Sequence, residues 1–289
     1  MTQVLGQDLD RDPDRGLERF AELVSREQFD LAQASLLLAQ DVYPDIDVAS
    51  YLGRLDDMAT AVRRRLADDA FAEQKVQALN QHLFGEMGFA GNVDDYYDPR
   101  NSYLNEVMER RTGIPITLSI LYLEVGRRVG LNMRGISFPG HFLVKLPVKR
   151  GQLVLDPFMA GEAQSEADLR RRLAKVLPSA LAQKASLEQY LEEATPRQIV
   201  ARLLRNLKNI YMKEARLERA LAVMHRILLV VPESVEELRD RGMLYQRLEC
   251  FRPALSDLRN YLRRRPEAPD AEDVHSNIVE LQQACAKLN

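Results

Sequence analysis

The strongest constraint on how this 289-residue chain can fold is a repeat near its C-terminal end. Leu204, Tyr211, Ala220, Leu221 and Pro232 recur as Leu238, Tyr245, Ala254, Leu255 and Pro266, each 34 residues later. A period of this length marks one supersecondary unit that buries its apolar face by stacking on a neighbour. Each copy is long enough for two helices joined by a short turn. Small Ala220 and Ala254 let the second helix approach the first, and Pro232 and Pro266, which cannot continue a helix, end it. DAEDVHSNIVELQQACAKL then reads as a capping helix over the apolar face of the last unit. The chain from about Thr195 onward is therefore expected to be an all-α stack.

The chain ahead of the repeat has a different texture. Helix-period segments such as LERFAELVSREQ and YLGRLDDMATAVRRRLADD fill the first hundred residues. Between roughly 130 and 160 come β-rich HFLVKLPV, a Lys149-Arg150-Gly151 turn and QLVLDPF, which together predict a hairpin. AGEAQSEADLRRRLAKVLPSALAQKASLEQYLEEATP returns to a polar, alanine-rich helical pattern, and Pro196 punctuates it. These shifts predict two domains, 1–194 and 195–289. The first holds 23 basic and 30 acidic side chains and the second 17 and 13, so their charges have opposite sign and favour mutual attraction. The 34-residue period and its residue choice resemble the tetratricopeptide repeat. The small residue that pattern wants before the first tyrosine is Gly242 in the second copy and Lys208 in the first, so the first helix pair is expected to pack less closely. Two repeats suit either a peptide-binding surface or a buttress for the rest of the chain, since about three stacked units are the usual minimum.

Residues 96–158 are the densest in unusual chemistry. Asn101 or Ser102 is placed to cap a helix running to Arg110. Gly113 then breaks it, and Pro115 opens another helix where its missing N–H costs nothing. That helix, about Ile116 to Val129, is apolar on two sides and is expected to be the buried centre of the domain. Glu106 and Arg110 stand at i, i+4, the favourable order for a surface ion pair. If the hairpin is centred near Val148–Lys149, His141 lies opposite Asp156. Cross-strand Cβ atoms are about 5 Å apart, close enough for the carboxylate to orient the imidazole. A helix N-terminus, a histidine and an aspartate are three parts of a nucleophilic triad.

The order helix, strand with His, strand with Asp-Pro is similar to the transglutaminase-like (papain-like) core. More closely, NSYLNEVMERRTGIPITLSILYLEVGRRVGL, PGHFLVK, LDPF, LLRNLKNIY and RDRGMLYQRL resemble the SirB-type family of bacterial transglutaminase-like proteins with C-terminal tetratricopeptide repeats, from about Asp41 to the end. The resemblance implies an α+β, mostly helical fold, in which a helical N-terminal part and a small antiparallel sheet precede an all-α repeat module. It matches His141 and Asp156 to the triad histidine and aspartate, and Asn101 and Glu106 to a motif at the pocket mouth. A eukaryotic F-box protein has a similar core, which points toward protein–protein work. The nucleophilic cysteine belongs at the start of the buried helix, where this sequence has Ile114-Pro115-Ile116-Thr117. Both cysteines, Cys250 and Cys285, lie in the repeat module. Thr117 and Ser119 are the nearby hydroxyls. On one helix they point about 200° apart, so at most one faces His141. A thiol at a helix N-terminus beside histidine ionises near neutral pH, whereas a hydroxyl stays protonated and needs a base.

Other classes lack support. A net charge of −3 removes the electrostatic reason to expect nucleic acid. No apolar run reaches the ~18 residues of a membrane span. The polar, acidic start reads as neither signal nor transit peptide, which predicts a cytoplasmic protein. His82, His225 and His275 lack ligand spacing, and neither GxGxxG nor a P-loop occurs, so no metal or cofactor is expected. Two functions remain. One is a non-catalytic scaffold that binds another protein or peptide and keeps His141 and Asp156 as a vestige. The alternative is an acyl-transfer hydrolase or amidase using Thr117 or Ser119 with His141 and Asp156.

Overall fold

Apolar spacing sets the first helices of the computed structural model, which describes residues 13–149, 151–178 and 186–287. Arg150 of the predicted turn and residues 179–185 of the predicted polar helix lie outside them. Helix α1 (Pro13–Ser25) buries Phe20, Leu23 and Val24, and α2 (Leu31–Ala39) is buried along nearly its whole length. Asp30 caps α2 by accepting from the Gln33 N–H at 2.8 Å, and Asp47 caps α3 (Val48–Arg63) through the Ser50 N–H. Helix α4 (Ala72–Asn80) continues into a π-helical turn, Gln81–Glu86. The chain divides into two units between Leu203 and Leu204, within a helix that starts at Pro196.

Helix α5 departs from its expected cap. Asp98, not Asn101 or Ser102, caps this stretch: it accepts from the Arg100 N–H at the head of a 3-10 turn, Pro99–Ser102, and α5 itself is only Leu104–Arg110. The helix ends at Arg110, as expected, but the residue that ends it is Arg111, in the left-handed conformation (φ 55°), and not Gly113. Gly113 has another task. It belongs to β2 (Thr112–Gly113), paired in parallel with β1 (Ala90–Gly91), and a Cβ there would lie 2.8 Å from Thr117 Oγ1. Helix α6 (Pro115–Arg128) opens on Pro115 and buries every residue from Pro115 to Gly126, as its apolar sequence predicts.

The small sheet has strand order β6-β5-β4-β3-β7 and is antiparallel throughout. Its strands are β3 (Arg134–Ile136), β4 (Leu143–Val148), β5 (Gly151–Asp156), β6 (Glu162–Ala163) and β7 (Glu193–Ala194). Helix α6 packs against β3 and β4. Ile136, Phe138, Leu143 and Val154 form one apolar cluster with Leu169 and Leu173 of α7 (Glu166–Val176), which is capped by Ser165. Glu193–Ala194, expected within a helical stretch, is instead an edge strand on β3. Two residues are too few to show strand alternation in sequence.

The second unit is all helical: the C-terminal part of α8 (Pro196–Lys213), then α9 (Leu217–Val230), α10 (Val235–Arg247), α11 (Phe251–Arg264) and α12 (Ala271–Lys287). Ala220 and Ala254 are completely buried, as the repeat demands. A Cβ on Gly242 would approach Leu258 Cδ2 to 2.8 Å, so α10 and α11 touch where only glycine fits. Lys208, at the matching place in the first copy, donates to Glu237 at 2.7 Å and Asp240 at 3.0 Å. Val274, Ile278 and Leu281 of α12 close the apolar cluster of α11.

One titration follows from this packing. His225 is half-buried, with Nε2 2.6 Å from the Tyr245 hydroxyl. Burial, and then the Arg241 charge, hold its pKa below the usual value. The unfolded chain, in which histidine titrates near ~6.5, therefore binds this proton more tightly than the folded unit. Stability present above that pH is lost as pH falls below it. The melting temperature of this unit is expected to drop between about pH 7 and pH 5, and His225→Gln should flatten the drop. An unchanged slope in the variant would remove His225 as the cause.

A candidate active site built on His141 and Asp156

The turn before β4 delivers the histidine. Gly140, at φ +67°, bends the chain after Phe138-Pro139, so His141 stands two residues ahead of the strand. The hairpin register pairs Val144 with Leu155 and Val148 with Gly151, one residue later in its centre than expected, so Asp156 is in register with residue 143 and not with His141. The two side chains still meet. His141 Nε2 lies 3.0 Å from each oxygen of Asp156. A one-residue shift of the centre moves each partner by two, and side chains alternate with period two, so the facing side is preserved.

Asp156 is 0% exposed and more heavily engaged than a simple orienting carboxylate. Besides His141 it accepts the Phe158 N–H at 3.1 Å and Arg172 Nη2 at 2.5 Å. Arg172 comes from α7 and is steadied by Gln164 Oε1 at 3.3 Å. The Phe158 ring stands edge-on to the imidazole at 5.9 Å. Gly91 makes room for it, since a Cβ there would lie 2.5 Å from the phenyl ring. Tyr96 also meets the Phe158 ring edge-on, at 6.4 Å. Behind the histidine, Arg202 donates to the carbonyls of Phe138 (3.1 Å) and His141 (2.6 Å) and to Ser137 Oγ (3.0 Å). Burial pulls the Arg202 pKa below its usual value.

None of the four other residues expected at the site is hydrogen-bonded to His141 or Asp156 among the described residues. Thr117, third residue of α6, is completely buried. Its hydroxyl donates to the Asn101 carbonyl at 2.7 Å, lies 3.1 Å from the Ile114 carbonyl, and accepts the Ile114 N–H at 3.1 Å. Ser119 Oγ is buried with no hydrogen-bond partner among the described residues. Asn101 is fully buried and does not sit at a pocket mouth. Its amide donates to the Asp95 and Tyr96 carbonyls and its oxygen accepts from Asn92, which ties down the preceding loop. Glu106 is half-buried, and Arg110, its expected i, i+4 partner, turns instead to Asp98 at 3.5 Å and to Asn101. Among the described residues no hydrogen bond joins His141 to either hydroxyl.

Arg172 and Arg202 are the residues that sequence reasoning passed over. Arg172 is the last of three consecutive arginines. Its place beside buried Leu169 and Leu173 is the one clue that it turns inward while Arg170 and Arg171 pair with Glu166 and Asp168 on the same helix.

The transglutaminase-like superfamily matches residues 49–205, and the tetratricopeptide repeat matches residues 207–278. Protein SirB1 of Salmonella typhimurium is 26% identical over 250 residues, 86% of this chain and 91% of that one. The chain belongs to the SirB-type family of transglutaminase-like proteins. Within the family, a UPF0162 protein of Xylella fastidiosa (strain Temecula1) is 41% identical over 258 residues, covering 89% of this chain and 92% of the relative. A UPF0162 protein of Vibrio cholerae is 30% identical over 263 residues, covering 87% and 93%. The family order, transglutaminase-like domain and then repeats, is that of the two units. Among the described residues no helix is long and apolar enough to cross a membrane.

Proposed function

We propose that this family member is non-catalytic: a protein-binding or scaffold module in which His141 and Asp156 hold the sheet to α7 and the repeat helices engage a segment of another protein. The Thr117 hydroxyl carries this reading. It is buried and committed to the Asn101 carbonyl at 2.7 Å, so the best-placed oxygen of the cysteine-less helix start is a structural tie. Acyl transfer needs a hydroxyl within about 2.6–3.2 Å of its base and open to substrate. Ser119 Oγ, sealed and unpartnered, meets neither condition. Tetratricopeptide repeats generally mediate protein–protein contact, which supports the binding role.

The competing hydrolase is open to direct test. The purified full chain is expected to take no label from a serine-directed fluorophosphonate and to turn over nitrophenyl esters no faster than His141→Ala. Turnover that falls by orders of magnitude in His141→Ala, with labelling that disappears in Ser119→Ala or Thr117→Val, would replace the proposal by the hydrolase.

A further inference from the structure

Helix α11 carries Arg252, Ser256, Arg259 and Arg263 at i, i+4, i+7 and i+11, which places them in one stripe. All four are exposed, and with Leu255 and Asn260 they line a groove of about 600 Å³. No carboxylate lies among these lining residues. The helix's one acid, Asp257, is buried on another face and bound by Arg241 at 2.7 and 2.9 Å. Several other arginines in this unit are matched by acids: Arg205 with Glu237, Arg239 with Asp270, Arg265 with Glu236. Arg259, by contrast, has no partner among the described residues, and Arg263 contacts only the neutral Asn260 side chain at 2.8 Å.

We propose that this groove docks an acidic, extended peptide segment of a partner protein. The inference rests on the protein-binding reading above and names the chemistry of the partner. Helix rise separates Arg259 from Arg263 by about 6 Å along the axis and the stripe's ends by about 16 Å. An extended chain repeats side chains on one face every ~6.7 Å, so glutamates or aspartates at alternate positions match the Arg259–Arg263 spacing, and about five extended residues span the stripe. Guanidinium–carboxylate contacts are the charge-assisted hydrogen bonds with the greatest directional specificity. Ser256 and Asn260 add groups for the peptide backbone, and Leu255 gives an apolar floor. A nucleic acid fits less well. No aromatic ring lines the groove for base stacking, and the whole chain is net negative at −3.

The test is fluorescence anisotropy of the full chain with a labelled peptide of alternating Glu and Ser, with an alternating Gln and Ser peptide as control. Saturable binding is expected for the first alone, at least about tenfold weaker in Arg259→Glu/Arg263→Glu and in ~1 M salt, where the screening length shrinks to ~3 Å. Arg259→Gln/Arg263→Gln serves as the milder variant, with circular dichroism melts to verify folding. No saturable binding by the parent chain, or undiminished binding by the folded double variants, overturns the proposal. Equal displacement by single-stranded DNA or by anionic vesicles also overturns it, because the groove would then attract any polyanion. Failure of the peptide to bind while ester turnover stays absent removes this groove alone. Turnover that depends on His141 instead removes the non-catalytic reading and leaves the peptide result to be judged by itself.

Discussion

Asp156→Ala is expected to lower the stability of the first unit by about 3 kcal/mol. The carboxylate is fully enclosed and accepts from His141, Arg172 and the Phe158 N–H, so it joins the turn before β4, the end of β5 and helix α7 at one point. Its removal leaves three donors without their acceptor and a guanidinium without its counter-charge. Breaking a buried pair costs about 3–5 kcal/mol. The Arg172 side chain keeps 26% exposure, so water recovers part of the loss and the lower end applies. Asp156→Asn keeps the shape but not the charge and should fall between the two. Urea denaturation followed by far-ultraviolet circular dichroism measures this as a shift in midpoint at unchanged slope. A loss below about 1 kcal/mol would mean that the carboxylate is not a structural tie, and a chemical role for His141 would regain force.

Thr117→Val should cost about 2–4 kcal/mol, because it strands the Ile114 N–H and the Asn101 carbonyl at a fully buried position. Thr117→Ser, which restores the oxygen but not the methyl group, is expected to recover most of that loss. The pair of variants separates hydrogen bonding from packing in the same unfolding measurement. The result also bears on function. If Thr117→Val were as stable as the parent, the hydroxyl would not be held by the backbone, and its orientation toward His141 would have to be reconsidered.

Much of the fold could be read in advance where the signal is local. The 34-residue repeat is a contact pattern between neighbours in sequence, so its period appears directly in Ala220, Ala254 and the two prolines. Helix α6 announced itself because a helix buried on every side must be apolar on every side. The His141–Asp156 pair is legible although the hairpin centre lies one residue later than the strand pattern predicts, since parity along a strand survives that shift.

The remaining features depend on what distant segments bring together. Asn101 has the composition of a helix cap, yet packing makes it a buried link between the loop before it and Thr117. Nothing within LRRRLAK states that Arg172 alone turns inward to Asp156, or that Arg202, 61 residues after His141, holds the histidine carbonyl. The sequence by itself carried the architecture, the missing cysteine and the His–Asp pair, because periodicity and residue identity are properties of short stretches. The engagement of the Thr117 hydroxyl and the network around Asp156 came only from the folded chain, because hydrogen bonds between segments far apart leave no period in either of them.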